Sequence, residues 1–148
     1  MIRHASLKDL EPCVALAIEF FEPFLKTHGV PVIAEDVRNI ALQAIAGNQI
    51  LVVEHDSVIQ GITAWAVVPH PANSRLKIFY ETIWCVKSKF KTDTLLLLRA
   101  LEREAMLANA DLLLMANLAS DSEEQLKRIF LKRGFEWLES HFSKPLKG

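Results

Sequence analysis

Three lysines, Lys87, Lys89 and Lys91, alternate along a short polar turn between the apolar stretch Ile83–Val86 and the segment Thr92-Asp93-Thr94, which opens a leucine-rich run. On an extended segment alternate residues share a face, so the three ammonium groups project together. The first N–H groups of a helix lack intrahelical partners and carry the positive end of the helix dipole. Strand, basic turn and helix start in this order make an anion-binding design. The turn contains no glycine, so close backbone approach must come without the freedom that glycine gives.

The rest of the composition bounds what such a site serves. At 148 residues, with 51% hydrophobic and 24% charged residues, the chain is expected to be one ordered domain, residues 1–148. Net charge is −1, which excludes a global attraction to nucleic acid or to an acidic membrane. The halves differ: residues 1–74 carry a balance of −4 and residues 75–148 a balance of +3, placing the basic excess where the anion would bind. Cys13 and Cys85 sit in apolar surroundings and read as buried free thiols. Five histidines and two cysteines show no metal-ligand spacing, and no metal is expected. The opening MIRHASLKDLEP lacks a signal-peptide core and no apolar run reaches membrane-spanning length, so a cytoplasmic protein is expected.

The elements that must position the turn follow from periodicity. Ile2-Arg3-His4 reads as a strand, and Ser6 with Asp9 three residues on starts a helix, with Pro12 tolerated in its first turn. Leu10, Val14, Ala17, Ile18 and Phe21 recur at helical spacing up to Phe20–Phe24, and Gly29 and Pro31 break the loop beyond. A second helix spans about Ala34–Ala46. Gln49–His55 is a strand, Asp56-Ser57 a hairpin turn, and Val58–Val68 a second strand in which Gly61 marks a bulge or a close backbone approach. After a loop at His70–Ser74, a strand from Leu76 to Val86 leads through the basic turn into a helix from about Thr94 to Asn109. Its four successive leucines, Leu95–Leu98, predict burial nearly all round for one turn. Leu112–Asn117 is a strand, Asp121 or Ser122 starts a last helix ending at Gly134, and Phe135–Leu138 and His141–Leu146 are expected to close the sheet as strands.

This order predicts a mixed α/β fold: a mostly antiparallel sheet with helices on both faces and one parallel pair, 76–86 and 112–117, joined by the leucine-rich helix in a right-handed crossover. Lys127, Arg128, Lys132 and Arg133 on the last helix, partly offset by Glu123 and Glu124, read as a solvated face. Trp65, Trp84 and Trp137 belong either to the core or to a homodimer interface.

The whole order resembles the GCN5-related N-acetyltransferase (GNAT) superfamily. Ile2-Arg3-x-Ala5-x-x-x-Asp9 is similar to that family's opening strand and helix start, and Gln49–Val68 with Gly61 to its second and third strands. Asn117, followed by a helix ending Phe130-Leu131-Lys132-Arg133-Gly134-Phe135, is similar to its closing motif. The resemblance covers residues 2–146 and implies acetyl-coenzyme A in a V-shaped gap where the two parallel strands splay. It implies a diphosphate-binding turn with Lys89 at the first motif position and Thr92 and Thr94 at the two small-residue positions, flanked by Lys87, Lys91 and Asp93. It further implies a carbonyl-polarising backbone at Trp84, Cys85 and Val86, a cofactor contact at Asn117, and Phe130 at the place where many members carry a proton-donating tyrosine. Phenylalanine donates no proton, and the chain's single tyrosine, Tyr80, lies on the other strand.

Acetyl transfer to an amine needs a polarised carbonyl, a neutral amine and in-line placement of the two. Glu81, on the central strand before the splay, is the candidate general base. The expected function is N-acetyl transfer from acetyl-coenzyme A to an amine on an unidentified small-molecule or protein acceptor, with no nucleic-acid or membrane partner. The alternative is a catalytically degenerate binding or inhibitory module of the same fold, favoured by the missing glycines and tyrosine.

Overall fold

A computed structural model describes residues 1–87, 91–116 and 123–146, with the backbone alone at Lys91. The chain divides into two compact units, Met1–Met115 and Ala116–Gly148.

In the first unit, β1 (Ile2–His4), β2 (Ile50–His55), β3 (Val58–His70), β4 (Asn73–Val86) and β5 (Leu112–Leu114) form one sheet in sequence order. The pairs β1–β2, β2–β3 and β3–β4 are antiparallel, and β4–β5 is parallel. Mixed sheet and parallel pair are as the sequence predicts. Ser6 and Asp9 form the expected capping box, but over a short 3₁₀ turn, Leu7–Asp9, which leads into α1 (Leu10–Thr27). This helix runs past Phe24 because Pro23, although it lacks an N–H, has a φ that fits a helix. It stops beyond Thr27, where Gly29 adopts a left-handed φ of 68°. The second helix, α2 (Ala34–Ala46), matches its expected bounds.

Two apolar layers cover the sheet. On one face Cys13, Val14, Ala17, Val37, Ala41 and Ile45 pack on Ile50, Val52, Ile62, Ala64 and Ile83. On the other, α3 (Lys91–Leu107) packs Leu97, Leu101 and Ala105 on Leu51, Val53, Trp65 and Phe79. Leu97 and Leu98 are fully buried, but Leu95 and Leu96 are exposed, so the expected all-round burial of the leucine run is not met. Successive helical residues point 100° apart, and α3 meets the sheet of this unit along one stripe only.

Two of the three register shifts in the long strands lie toward the Val86 end of β4. Val53 pairs with Gly61 and Glu54 with Ile59, leaving Gln60 as an extra residue. Ala64 pairs with Ile83 and Trp65 with Glu81, leaving Thr82 as an extra residue in β4. Residues 79 and 83 would share a face in an uninterrupted strand. The second bulge instead puts Phe79 in the α3 layer and Ile83 in the α1–α2 layer, with Trp84 back on the α3 side.

The turn Asp56-Ser57 has φ values of 49° and 63°, the left-handed pair that a two-residue hairpin requires. The loop expected at His70–Ser74 shrinks to Pro71-Ala72, because β3 and β4 pair as far as His70↔Asn73. The helix α3 ends at Leu107, and Asn109 just beyond it adopts a left-handed φ of 53°. Asp111 then ties β5 to β4 twice: its N–H donates to the Lys77 carbonyl, and its Oδ2 accepts the Lys77 N–H at 2.7 Å.

The second unit contains α4 (Glu123–Lys132), ended by Gly134 at φ 87°. The Phe135 N–H returns to the Phe130 carbonyl and their rings lie 5.4 Å apart. The basic residues Lys127, Arg128, Lys132 and Arg133 are exposed, as a solvated face requires. Phe135–Leu138 and His141–Leu146 are not strands, which corrects the expectation from alternation. Alternating apolar residues specify a strand only where a ladder partner exists, and no strand pairs with them among the described residues.

Candidate functional site

The parallel pair is short. Ile78↔Leu112, Phe79↔Leu113 and Tyr80↔Leu114 are matched, and pairing then stops while β4 continues to Val86. Past Tyr80 the only strand beside β4 among the described residues is β3. Backbone polar groups on the other edge of the Trp84–Val86 segment therefore face the gap side of the sheet, the place where open sheets receive ligands. Gly61 supports this end from the other flank. A Cβ there would lie 3.1 Å from the Cys85 carbonyl oxygen and 3.3 Å from methyls of Val53 and Val86. The expected close backbone approach at Gly61 is present.

The structure places the expected site residues unevenly. Trp84, Cys85 and Val86 form the half-buried end of β4. Glu81 is buried, and because directly paired residues share a face, it lies on the α3 side with Trp65. Lys87 does not join the α3 start. Its Nζ donates to Glu19 Oε2 on α1 at 2.6 Å, and its N–H donates to the Gln60 carbonyl. Thr92 is exposed and Thr94 half-buried in the first turn of α3, which begins three residues earlier than expected. Phe130, a residue of the second unit, is buried. Lys89 and Asn117 lie outside the described residues, as does the side chain of Lys91.

Asp93 is buried, and its Oδ2 lies 2.6 Å from Nε2 of His55 at the end of β2. Thirty-eight positions separate the two, so no local pattern announced the pair. The negative charge at the helix start is held by a side chain from the sheet.

Two other groups were read only in part. Arg3 donates through Nη1 and Nη2 to the two carboxylate oxygens of Asp9, at 2.8 and 2.9 Å, and through Nε to Glu54 at 2.7 Å. The Arg3 hydrogen bonds hold the Asp9 carboxyl well below the usual carboxylate range, against the opposing effect of burial. This cluster lines an open cavity of about 360 Å³ with Lys8, Pro12 and Val58. Its charges are spent on joining β1, α1 and β2, which makes it structural. Burial pushes the Cys13 thiol up to about 12, and burial followed by the Glu19 charge raises that of Cys85. Both cysteines are free, although Cys85 is only half-buried. Neither is an activated nucleophile. A second cavity of about 480 Å³ lies along the C-terminal half of α1 and the loop after it, bordered by Ile18, Glu22, Lys26, Val30 and Val32.

No protein-family model matches the sequence, and no curated protein matches it. Solved structures do. A probable acetyltransferase superposes with a TM-score of 0.75 at 14% identity, covering 100% of this chain and 99% of the other. A predicted acetyltransferase from Clostridium acetobutylicum, solved with acetyl-CoA, gives 0.70 at 19% identity over 99% and 96% of the two chains. The aminoglycoside N-acetyltransferase AAC(6')-Iy, in complex with the bisubstrate analogue CoA-S-monomethyl-acetylneamine, gives 0.72 at 14% identity over 100% and 98%. At these identities the likeness concerns the backbone, and what it shows is that the chain has the fold of the GNAT-type acetyltransferases.

Proposed function

We propose that the protein is an N-acetyltransferase that moves an acetyl group from acetyl-coenzyme A to an amine. The observation that carries this reading is the parting of β4 from β5 after Tyr80↔Leu114, at the end of the sheet that leads toward α3. Two of the structural neighbours hold acetyl-CoA or a CoA-based analogue, and coverage of the entire chain supports reading it as one domain of that type. Acetyl-coenzyme A is the co-substrate in this reading. Its pantetheine amides suit the strand edge at Trp84–Val86, which no strand covers among the described residues, and its diphosphate the first turn of α3 with Lys89, Lys91, Thr92 and Thr94. The resemblance also assigns cofactor contacts to Asn117, which lies outside the described residues, and to Phe130.

The reaction needs a neutral amine, whose nitrogen attacks the thioester carbonyl carbon. The carbonyl oxygen becomes an oxyanion that a backbone N–H at Trp84–Val86 stabilises. Collapse of this intermediate breaks the carbon–sulfur bond and releases the coenzyme A thiolate, while the amine proton passes to a base. Glu81 is the proposed base: its burial on β4, directly past the last parallel pair, supports the role. With phenylalanine at 130 the thiolate takes its proton from water. The acidic first half, with Glu22 on α1, supports a cationic amine as acceptor, and the reading puts the protein in the cytoplasm.

A second reading, a catalytically inactive binding module, is favoured by one observation: Lys87 is engaged by Glu19 and not by the helix start. Titration calorimetry with acetyl-coenzyme A and coenzyme A separates the two, with micromolar binding expected. A folded sample that gives no heat at millimolar ligand removes the transferase reading. With binding established, Glu81→Gln is expected to lower kcat by about 10²–10⁴-fold while the affinity for acetyl-coenzyme A stays within threefold. Undiminished turnover removes Glu81 as the base.

A further inference from the structure

An acidic residue in the first turn of a helix stabilises that helix, but the same charge competes with any anion brought to the same N–H groups. Asp93 is the third residue of α3, and its side chain is 7% exposed. Its Oδ2 is held by His55 Nε2 at 2.6 Å, within the range of a charge-assisted hydrogen bond. His55 is the last residue of β2, followed directly by the tight turn Asp56-Ser57, and pairs with Val58 across the hairpin. The histidine therefore reaches the helix from a rigid corner of the sheet. Val53, two residues before it, is fully buried in the layer that α3 covers.

We propose that His55 is a positioning residue for the diphosphate site: it draws the Asp93 carboxylate onto the sheet and offsets its charge, leaving the first turn of α3 able to accept a diphosphate. The role rests on the acetyl-coenzyme A reading and deepens it, since it explains how a helix start without glycines and with an aspartate still serves an anion. Asp93 then does two jobs that would otherwise conflict. It caps the helix dipole in the folded chain, and through His55 it joins α3 to the β2–β3 hairpin.

The test is calorimetric titration of the full-length chain with coenzyme A, with fold checked by circular dichroism. His55→Ala leaves the Asp93 carboxylate without this hydrogen bond and is expected to weaken coenzyme A binding about tenfold, the loss of about one hydrogen bond to a charged group. His55→Gln keeps a donor at similar reach and is expected to bind within about threefold of the unaltered chain. The double variant His55→Ala/Asp93→Asn is expected to regain the lost affinity, which damage to the hairpin alone would not permit. Asp93→Asn by itself leaves His55 in place and is expected to bind coenzyme A more tightly than the unaltered chain. That variant carries the test if His55→Ala fails to fold.

Equal binding by folded His55→Ala and the unaltered chain overturns the role. So does a double variant that stays as weak as the single one, or weaker binding by Asp93→Asn. Binding by Asp93→Asn but not by the unaltered chain shows that His55 does not offset the charge, and overturns the role while the acetyl-coenzyme A reading stands. No binding by either overturns that reading, and this role with it.

Discussion

Asp9 receives both terminal nitrogens of Arg3 while its Oδ2 also accepts from the Ser6 N–H and hydroxyl, so one carboxylate closes a capping box and an ion pair together. Half of this was visible in the spacing Ser6-x-x-Asp9. The other half was not, because the guanidinium comes from a strand that only the fold brings to the helix start. Arg3→Ala is expected to cost about 2–4 kcal/mol in urea unfolding, since it leaves a buried carboxylate with a lost charge partner. Asp9 also predicts the sign of acid sensitivity. A carboxyl lowered in the folded state contributes stability that is complete above its unfolded pKa and is lost as the pH falls through its folded one. The unaltered chain is therefore expected to lose stability steeply below about pH 4, and Asp9→Asn to flatten that limb of the pH–stability curve. Parallel curves for the two proteins would remove Asp9 from the acid response.

At the scale of elements, the strand pair β3–β4 decides the site, and its bulges decide the pair. Alternation along Val58–Val68 and Leu76–Val86 predicted both strands and their antiparallel pairing. It did not reveal that Thr82 is extra, because a one-residue slip changes which face every later residue takes while leaving composition untouched. Gly61 was the one legible mark, and it sits against the Cys85 carbonyl. Gly61→Val is expected to lower stability by about 1–3 kcal/mol through overpacking against Cys85, Val53 and Val86. Because the Cys85–Val86 backbone borders the gap, the same substitution is expected to weaken acetyl-coenzyme A binding; unchanged binding in a destabilised protein would separate Gly61 from the site. The expected strands near the C-terminus failed for the complementary reason. Their residue pattern is right for a strand, but a strand is a property of two segments.

For the molecule as a whole, the two apolar layers set which groups meet solvent. Cys13 is fully buried on the sheet-facing side of α1, and burial raises its thiol to about 12, which keeps it protonated and unreactive near neutral pH. Iodoacetamide followed by mass spectrometry is expected to label Cys85, which is half-buried, first, and Cys13 only at the rate of global opening. Equal labelling rates would contradict the sheet–helix packing described above. By itself the sequence determined the order of elements as far as α4, the mixed sheet with its one parallel pair and the hairpin at Asp56-Ser57, because these rest on periodicity and turn chemistry within a few residues of one another. Only the tertiary structure decided where Lys87 and Asp93 send their charges. Glu19 and His55 lie 68 and 38 positions away from them, and a side chain chooses its partner by distance in space.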